Sequence, residues 1–288
     1  MADAAELHAT VPAGELTALH WGDTTQPPLL ALHGWLDNAA SFSHVAPLLA
    51  AHRHVIAVDL PGHGHSAHLP ARARRYHIVD QVDTVLDFAD ALGLQRFDLL
   101  GHSLGAGIAA LVAAAAPGRV ARLVLIEGLG PLADDGTQTL QRWRAAQARS
   151  ARPARPSRVF ASLDDAVAAR VAAGGLDADE ARPIVRRNLR ETAGGFTWRS
   201  DRRLRLATPV RIDEPQVRRL LGGITAPTLV LLAEPPTPYL PTATMDARAA
   251  CVTTIRVQRM PGPHHLHVRH PRTVASQILG FLGECALP

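Results

Sequence analysis

Residues 97–118 read FDLLGHSLGAGIAALVAAAAPG. The first seven, FDLLGHS, are apolar and compact enough for a buried strand. LGAGIAALVAAAA (104–116) is an Ala-rich helix that stops at Pro117-Gly118. At the junction stands Gly101-His102-Ser103-Leu104-Gly105, a G-x-S-x-G. Alone this pattern recurs by chance. Between an incoming strand and an outgoing helix it predicts a nucleophile elbow, with the Ser103 hydroxyl at the C-terminal edge of a sheet. The bland reading is that Ser103 only caps the helix.

Outward from this junction the chain alternates. ELHATV and GELTALHW predict an opening hairpin with its turn near Pro12, Ala13 and Gly14. PLLALHG (28–34), HVIAVDLPG (54–62) and RLVLIEG (122–128) are β-rich runs, and 76–92 has helical spacing in Ile78, Val82, Val85, Leu86 and Ala89. Uniformly apolar strands alternating with helices predict an α/β fold on a buried parallel sheet. From 131 to 221 the chain turns Arg-rich and helical in pattern, and strand alternation resumes at APTLVLLA (226–233) and TTIRVQRMPG (253–262) before a final helix, 271–282. We therefore expect a core domain built from 1–130 and 222–288, with 131–221 inserted as a helical cap over the strand ends.

Composition excludes several classes. No apolar run reaches the roughly 18 residues of a membrane helix, and the N-terminus has no basic and apolar leader. These features predict a soluble, cytoplasmic protein. Cys251 and Cys285 have neither a disulfide framework nor a metal spacing. All 30 basic residues are arginine, and residues 131–223 hold 18 of them against 11 acids. A net of +7 there is an ordinary solvated face or an attraction for anions. Without aromatic interleaving or a known motif it does not predict nucleic-acid binding.

A nucleophilic serine needs a base and an orienting carboxylate. PGPHHLHVRHP (261–271) offers His264, with His265 as the alternative. A metal reading of HHLHVRH lacks a matching carboxylate set nearby, so no metal and no organic cofactor is expected. For the acid, Glu127 and Glu234 both end strands on the expected edge. Glu127 lies one helix and one strand from Ser103 and would emerge beside it. The developing oxyanion needs donors. Leu104 N–H comes with the elbow, and Trp35 N–H with the loop LHGWLDNAASF (32–42). His33, Gly34 and His102 are expected to line the substrate pocket.

With those residues in view, the chain resembles the α/β-hydrolase superfamily over nearly its whole length, through HGW (33–35), DLPGHGHS (59–66), GHSLG (101–105) and the PGPHHLH loop. The subgroup it resembles is the serine hydrolase-like proteins, whose HGWLDNAASF-type segment stands almost word for word at 33–42. The resemblance implies an eight-stranded, mostly parallel sheet and a Ser–His–acid triad. Many members place the acid after the seventh strand, where this chain has Pro236. Placement after the sixth strand, as in some haloalkane dehalogenases, matches Glu127. Relatives that cleave carbon–halogen bonds or epoxides use Asp at the elbow, so Ser103 points to acyl chemistry. The expected activity is cleavage of a small-molecule carboxylic ester through an acyl-enzyme. Two rivals stand beside it: a thioesterase drawing an acidic acyl carrier to Arg152 and Arg155, and a catalytically weak binding module.

Overall fold

The computed structural model describes residues 4–150, 158–206 and 208–283; Arg152, Arg155 and Cys285 lie outside them. The main sheet has eight strands: β1 (Ala5–Val11), β2 (Gly14–Trp21), β3 (Pro28–Leu32), β4 (His54–Val58), β5 (Phe97–His102), β6 (Val120–Ile126), β10 (Thr228–Glu234) and β11 (Ile255–Pro261). Their spatial order is β1-β2-β4-β3-β5-β6-β10-β11. The hairpin β1–β2 pairs antiparallel and β2 meets β4 antiparallel; every later pairing is parallel.

The period of two along the strands explains why the sheet is buried on both faces. Leu30, Leu32, Leu99, Leu123 and Leu125 point into one core. Their neighbours Leu29, Ala31, Leu100, Val124 and Ile126 point into the other. Helices α2 (Asp80–Ala91), α3 (Leu104–Ala115), α7 (Glu214–Leu221) and α8 (Thr242–Ala249) contribute to the first core. The short α1 (Ala46–Leu49) and the last helix, α10 (Pro271–Phe281), contribute to the second. The predicted helix 76–92 begins only at Asp80. Tyr76 explains the late start: its hydroxyl donates to Asp201 and accepts from the Leu69 N–H, which holds this stretch in a loop.

The stretch 131–221 is not wholly helical. It contains α4 (Thr139–Ser150), α5 (Leu163–Ala172) and α6 (Ala178–Arg187), and also a three-stranded antiparallel sheet. That sheet is β7 (Val159–Phe160), β9 (Gly195–Trp198) and β8 (Leu189–Thr192), in this order. The Gly194-Gly195 pair, which reads as a break, lies at the β8–β9 hairpin: Ala193-Gly194 is the two-residue turn and Gly195 opens β9 opposite Thr192. Phe160, Val167, Ile184, Val185 and Leu189 form a separate small core. One of its members is Val268, from α9 (Leu266–Arg269) in the histidine-rich segment. Helix α7, by contrast, buries Val217 and Leu221 in the main core. Among the described residues no helix is long and apolar enough to cross a membrane.

Candidate active site

β5 delivers Ser103 to the sheet edge in a conformation few side chains adopt, φ +53° and ψ −111°. A positive φ on a non-glycine residue costs of order 1–3 kcal/mol and persists only where its surroundings impose it. Here the glycines impose it. A Cβ on Gly105 would sit 2.0 Å from the Leu32 carbonyl oxygen, and one on Gly101 would sit 2.4 Å from the Gly105 oxygen. The turn is thus pressed against β3 as tightly as bare backbone allows. Ser103 N–H donates to the Ile126 carbonyl at 2.9 Å, which ties the elbow to the end of β6.

The next residue of that strand end is Glu127, also at positive φ, +55°. It is 2% exposed. Its Oε1 accepts from Ala233 N–H at 2.5 Å, and its Oε2 accepts from the Thr237 hydroxyl and from His264 Nδ1 at 2.9 Å. Three donors converge on this carboxylate and satisfy it in a place where an unpaired one would be very costly. With Nδ1–H given to Glu127, the neutral His264 ring leaves Nε2 as an acceptor. The Tyr239 hydroxyl donates to that nitrogen at 3.1 Å. Glu234, the other candidate acid, is exposed at the end of β10.

The remaining expected residues fall differently. Leu104 is the first residue of α3, where amides lack intrahelical acceptors. The Trp35 side chain is 54% exposed, and its indole N–H donates to the Leu204 carbonyl of the 131–221 stretch. His33 and His102, expected to line a pocket, are both buried. His33 accepts from Leu60 N–H at 3.0 Å and lies 2.8 Å from the Gly34 oxygen through its other nitrogen, so it braces the loop. His102 packs against His264, His265 and His267. A Cβ on Gly34 would lie 2.9 Å from His102 Nδ1, so this glycine lets the loop close over the histidine.

Sequence reasoning missed Thr237, Tyr239, Asp37 and Arg187. The motif DLPGHGHS supplies Asp59, fully buried, which accepts from Ala39 and His65 N–H groups and pairs with Arg187 from α6. Asp37 pairs with Arg170 of α5 and with His265. Burial alone would raise the Asp37 pKa; the hydrogen bond from His265 and the Arg170 guanidinium win and hold it below the usual carboxylate range. None of these distant partners leaves a local sequence signal.

Two buried histidines make the fold acid-sensitive. Burial pushes His33 down from 6.5 to about 4, and it pushes His63 down to about 3, helped by neighbouring His33. Each accepts a backbone N–H, from Leu60 and Leu36, and must be neutral to do so. Below pH 6.5 the unfolded chain binds protons that the folded chain refuses, so stability falls as pH falls. We expect urea unfolding to show a loss of up to about 1.4 kcal/mol per pH unit for each histidine between pH 6.5 and 4. A stability flat from pH 7 to 5 would contradict this.

The strained serine elbow at the end of β5, between β3 and β6, beside a half-buried histidine paired with a buried carboxylate, defines a hydrolase of the α/β class. A family model described as alpha/beta hydrolase fold matches residues 27–211. The chain belongs to the α/β-hydrolase family. It is similar to the serine hydrolase-like protein of Danio rerio, 31% identical over 289 residues, covering 97% of this chain and 88% of that one. It is also similar to an sn-1-specific diacylglycerol lipase of Mus musculus, 28% identical, over 91% of this chain and 82% of that one. A solved structure of a hypothetical protein of Pseudomonas aeruginosa superposes with TM-score 0.89 at 36% identity, covering 97% of this chain and 99% of that one.

Proposed function

We propose that the protein is a serine hydrolase that cleaves carboxylic esters of small molecules through an acyl-enzyme, with Ser103, His264 and Glu127 as its triad. The observation that carries this is the 2.9 Å pair of His264 Nδ1 and Glu127 Oε2, at the strand end adjoining the elbow of Ser103. Ser103 attacks the carbonyl, and its proton goes to His264 Nε2. Glu127 keeps the ring in the Nδ1–H tautomer and stabilises the imidazolium. The N–H groups of Leu104 and Trp35 hold the oxyanion. His264 then returns the proton to the leaving alcohol, and water repeats the sequence to release the acid. None of these steps calls for a cofactor. The stretch 131–221 acts as the cap over this edge.

Family membership and the diacylglycerol lipase relative both fit an ester substrate. The thioester reading has less support. Many of the arginines between 131 and 223 are engaged in ion pairs within the protein, as in Arg142–Asp134, Arg182–Asp164, Arg187–Asp59, Arg203–Asp201 and Arg218–Glu214. The experiment is hydrolysis of p-nitrophenyl esters from acetate to palmitate together with fluorophosphonate labelling. Labelling at Ser103 and turnover of at least one ester are expected. A folded protein that neither labels nor turns over any ester is a binding module.

Tyr239 gives a further check. Its hydroxyl donates to His264 Nε2 at 3.1 Å and so stabilises the neutral ring. Such a bond is worth about 0.5–1.5 kcal/mol. In Tyr239→Phe kcat/KM is expected to change by up to about tenfold, the free-energy equivalent of that one bond. An unchanged kcat/KM would leave that hydrogen bond without influence on the base.

A further inference from the structure

The triad uses one histidine of the PGPHHLHVRH segment and leaves its neighbours unassigned. In the sequence these histidines lack a carboxylate partner; the fold brings one from far away. Asp37, in the loop after β3, has Oδ2 3.0 Å from His265 Nε2 and 4.0 Å from His102 Nδ1. One donor atom from each of the three residues lies within 4.8 Å of the other two. Their exposures are 4%, 7% and 1% for Asp37, His265 and His102.

Two imidazole nitrogens of this cluster, His102 Nδ1 and His265 Nδ1, are buried without a hydrogen-bond partner. His102 Nε2 lies 3.1 Å from the His264 carbonyl oxygen, which can only accept, so Nε2 carries the proton. In the neutral ring Nδ1 is then a bare lone pair. It has no hydrogen-bond partner, and it faces a carboxylate oxygen. Two acceptors opposed in a buried place are unfavourable. His265 Nδ1 also has no partner. Gly34 keeps the gap open, since a Cβ there would lie 2.9 Å from His102 Nδ1 and 3.1 Å from Asp37 Oδ2.

We propose that His102 Nδ1, His265 Nε2 and Asp37 Oδ2 bind one divalent transition-metal ion of the zinc class, and that this ion inhibits the hydrolase. Two imidazoles and one carboxylate suit zinc, cobalt, nickel or copper rather than magnesium or calcium. Bonds of about 2.0–2.2 Å at tetrahedral angles put donors about 3.4 Å apart, and the observed 3.0 and 4.0 Å bracket that spacing. On binding, the His265 proton moves from Nε2 to the free Nδ1. Arg170 lies 3.4 Å from the other Asp37 oxygen, so Oδ2 remains for the ion. Inhibition, which rests on the proposed triad, follows from position: His102 precedes Ser103 and His265 follows His264 in the chain. Drawing both rings inward displaces nucleophile and base together, and a misplacement near 1 Å costs about 100-fold.

The test is calorimetric titration of the EDTA-treated full chain with ZnCl₂. One equivalent is expected in the wild type. Asp37→Asn and His265→Gln are expected to weaken binding by at least about 100-fold, with melting temperatures recorded to establish folding. The exposed, ion-paired group of Glu6, His8, Glu15 and His65 serves as the control for surface binding. The double variant His8→Ala/His65→Ala should therefore keep the equivalent. Cobalt in the wild type should give the intense absorption of a four-coordinate site; weak six-coordinate bands would overturn the assignment without recourse to a variant. No binding at micromolar zinc would overturn it, as would binding lost only in the His8/His65 variant. Zinc should also slow fluorophosphonate labelling of Ser103 about 100-fold, reversibly with EDTA, in the wild type but not in Asp37→Asn. Unchanged labelling with the site filled would refute inhibition. Absence of labelling in metal-free protein would refute the triad while leaving the metal site standing.

Discussion

Ser103→Ala is expected to abolish ester hydrolysis, with turnover down about 10⁶-fold. The substitution removes one oxygen and keeps the Cβ, so the φ of +53° is no harder to hold than before. The Gly101 and Gly105 contacts that shape the turn are untouched, and the protein should melt near the wild-type temperature. Catalysis left over would come from the oxyanion donors and from binding alone, about 10³–10⁴ over water. The measurement is initial rates over the p-nitrophenyl series, with mass spectrometry of the fluorophosphonate adduct. A variant that retains most of its turnover would move the nucleophile elsewhere.

Glu127→Gln is expected to lose about 10⁴ in turnover, and the reason is tautomeric. The carboxylate receives Ala233 N–H on one oxygen and both Thr237 O–H and His264 Nδ1–H on the other. A glutamine has one acceptor to offer three donors. With its oxygen toward Ala233, its NH₂ faces His264 and forces Nδ1 to accept. The ring proton then sits on Nε2, where it cannot take one from serine. The reverse orientation sets NH₂ against the Ala233 N–H in a buried place, at about 1–3 kcal/mol. Glu234→Gln, at an exposed strand end, should change the rate by no more than a few fold. Comparable losses in the two variants would break the assignment of Glu127 as the orienting acid.

Much of the architecture was legible because it rests on local rules. Apolar strands with period two, the Pro117-Gly118 stop and the glycines around Ser103 are written within a few residues of the features they create. Glu127 was legible too, as a lone acid closing an apolar run. Other parts of the site depend on chain segments more than a hundred residues apart. Asp37 meets His265 across 228 positions and Arg170 across 133. Arg187 reaches Asp59 across 128. Tyr239 finds His264 because the turn after β10 folds back, and no periodicity announces that. The β8–β9 hairpin was misread for a different reason: two adjacent glycines punctuate a broken helix as well as they do a turn and the strand that follows it, and only the strand partners decide between them.

Val268 lies four residues beyond His264, yet it is packed in the small core of the 131–221 stretch. Its neighbour Arg269 pairs with Asp177 and Glu180 of that stretch. The stretch proposed as the cap and the segment proposed to carry the base are therefore not interchangeable modules. A chimera that borrows another relative's residues 131–221 would also have to borrow residues 264–269. A graft that respects only the linear boundaries would inherit a new specificity surface and a mis-seated histidine. On the proposed function, diversification of substrate range in this chain is coupled to renegotiation of the loop that holds His264.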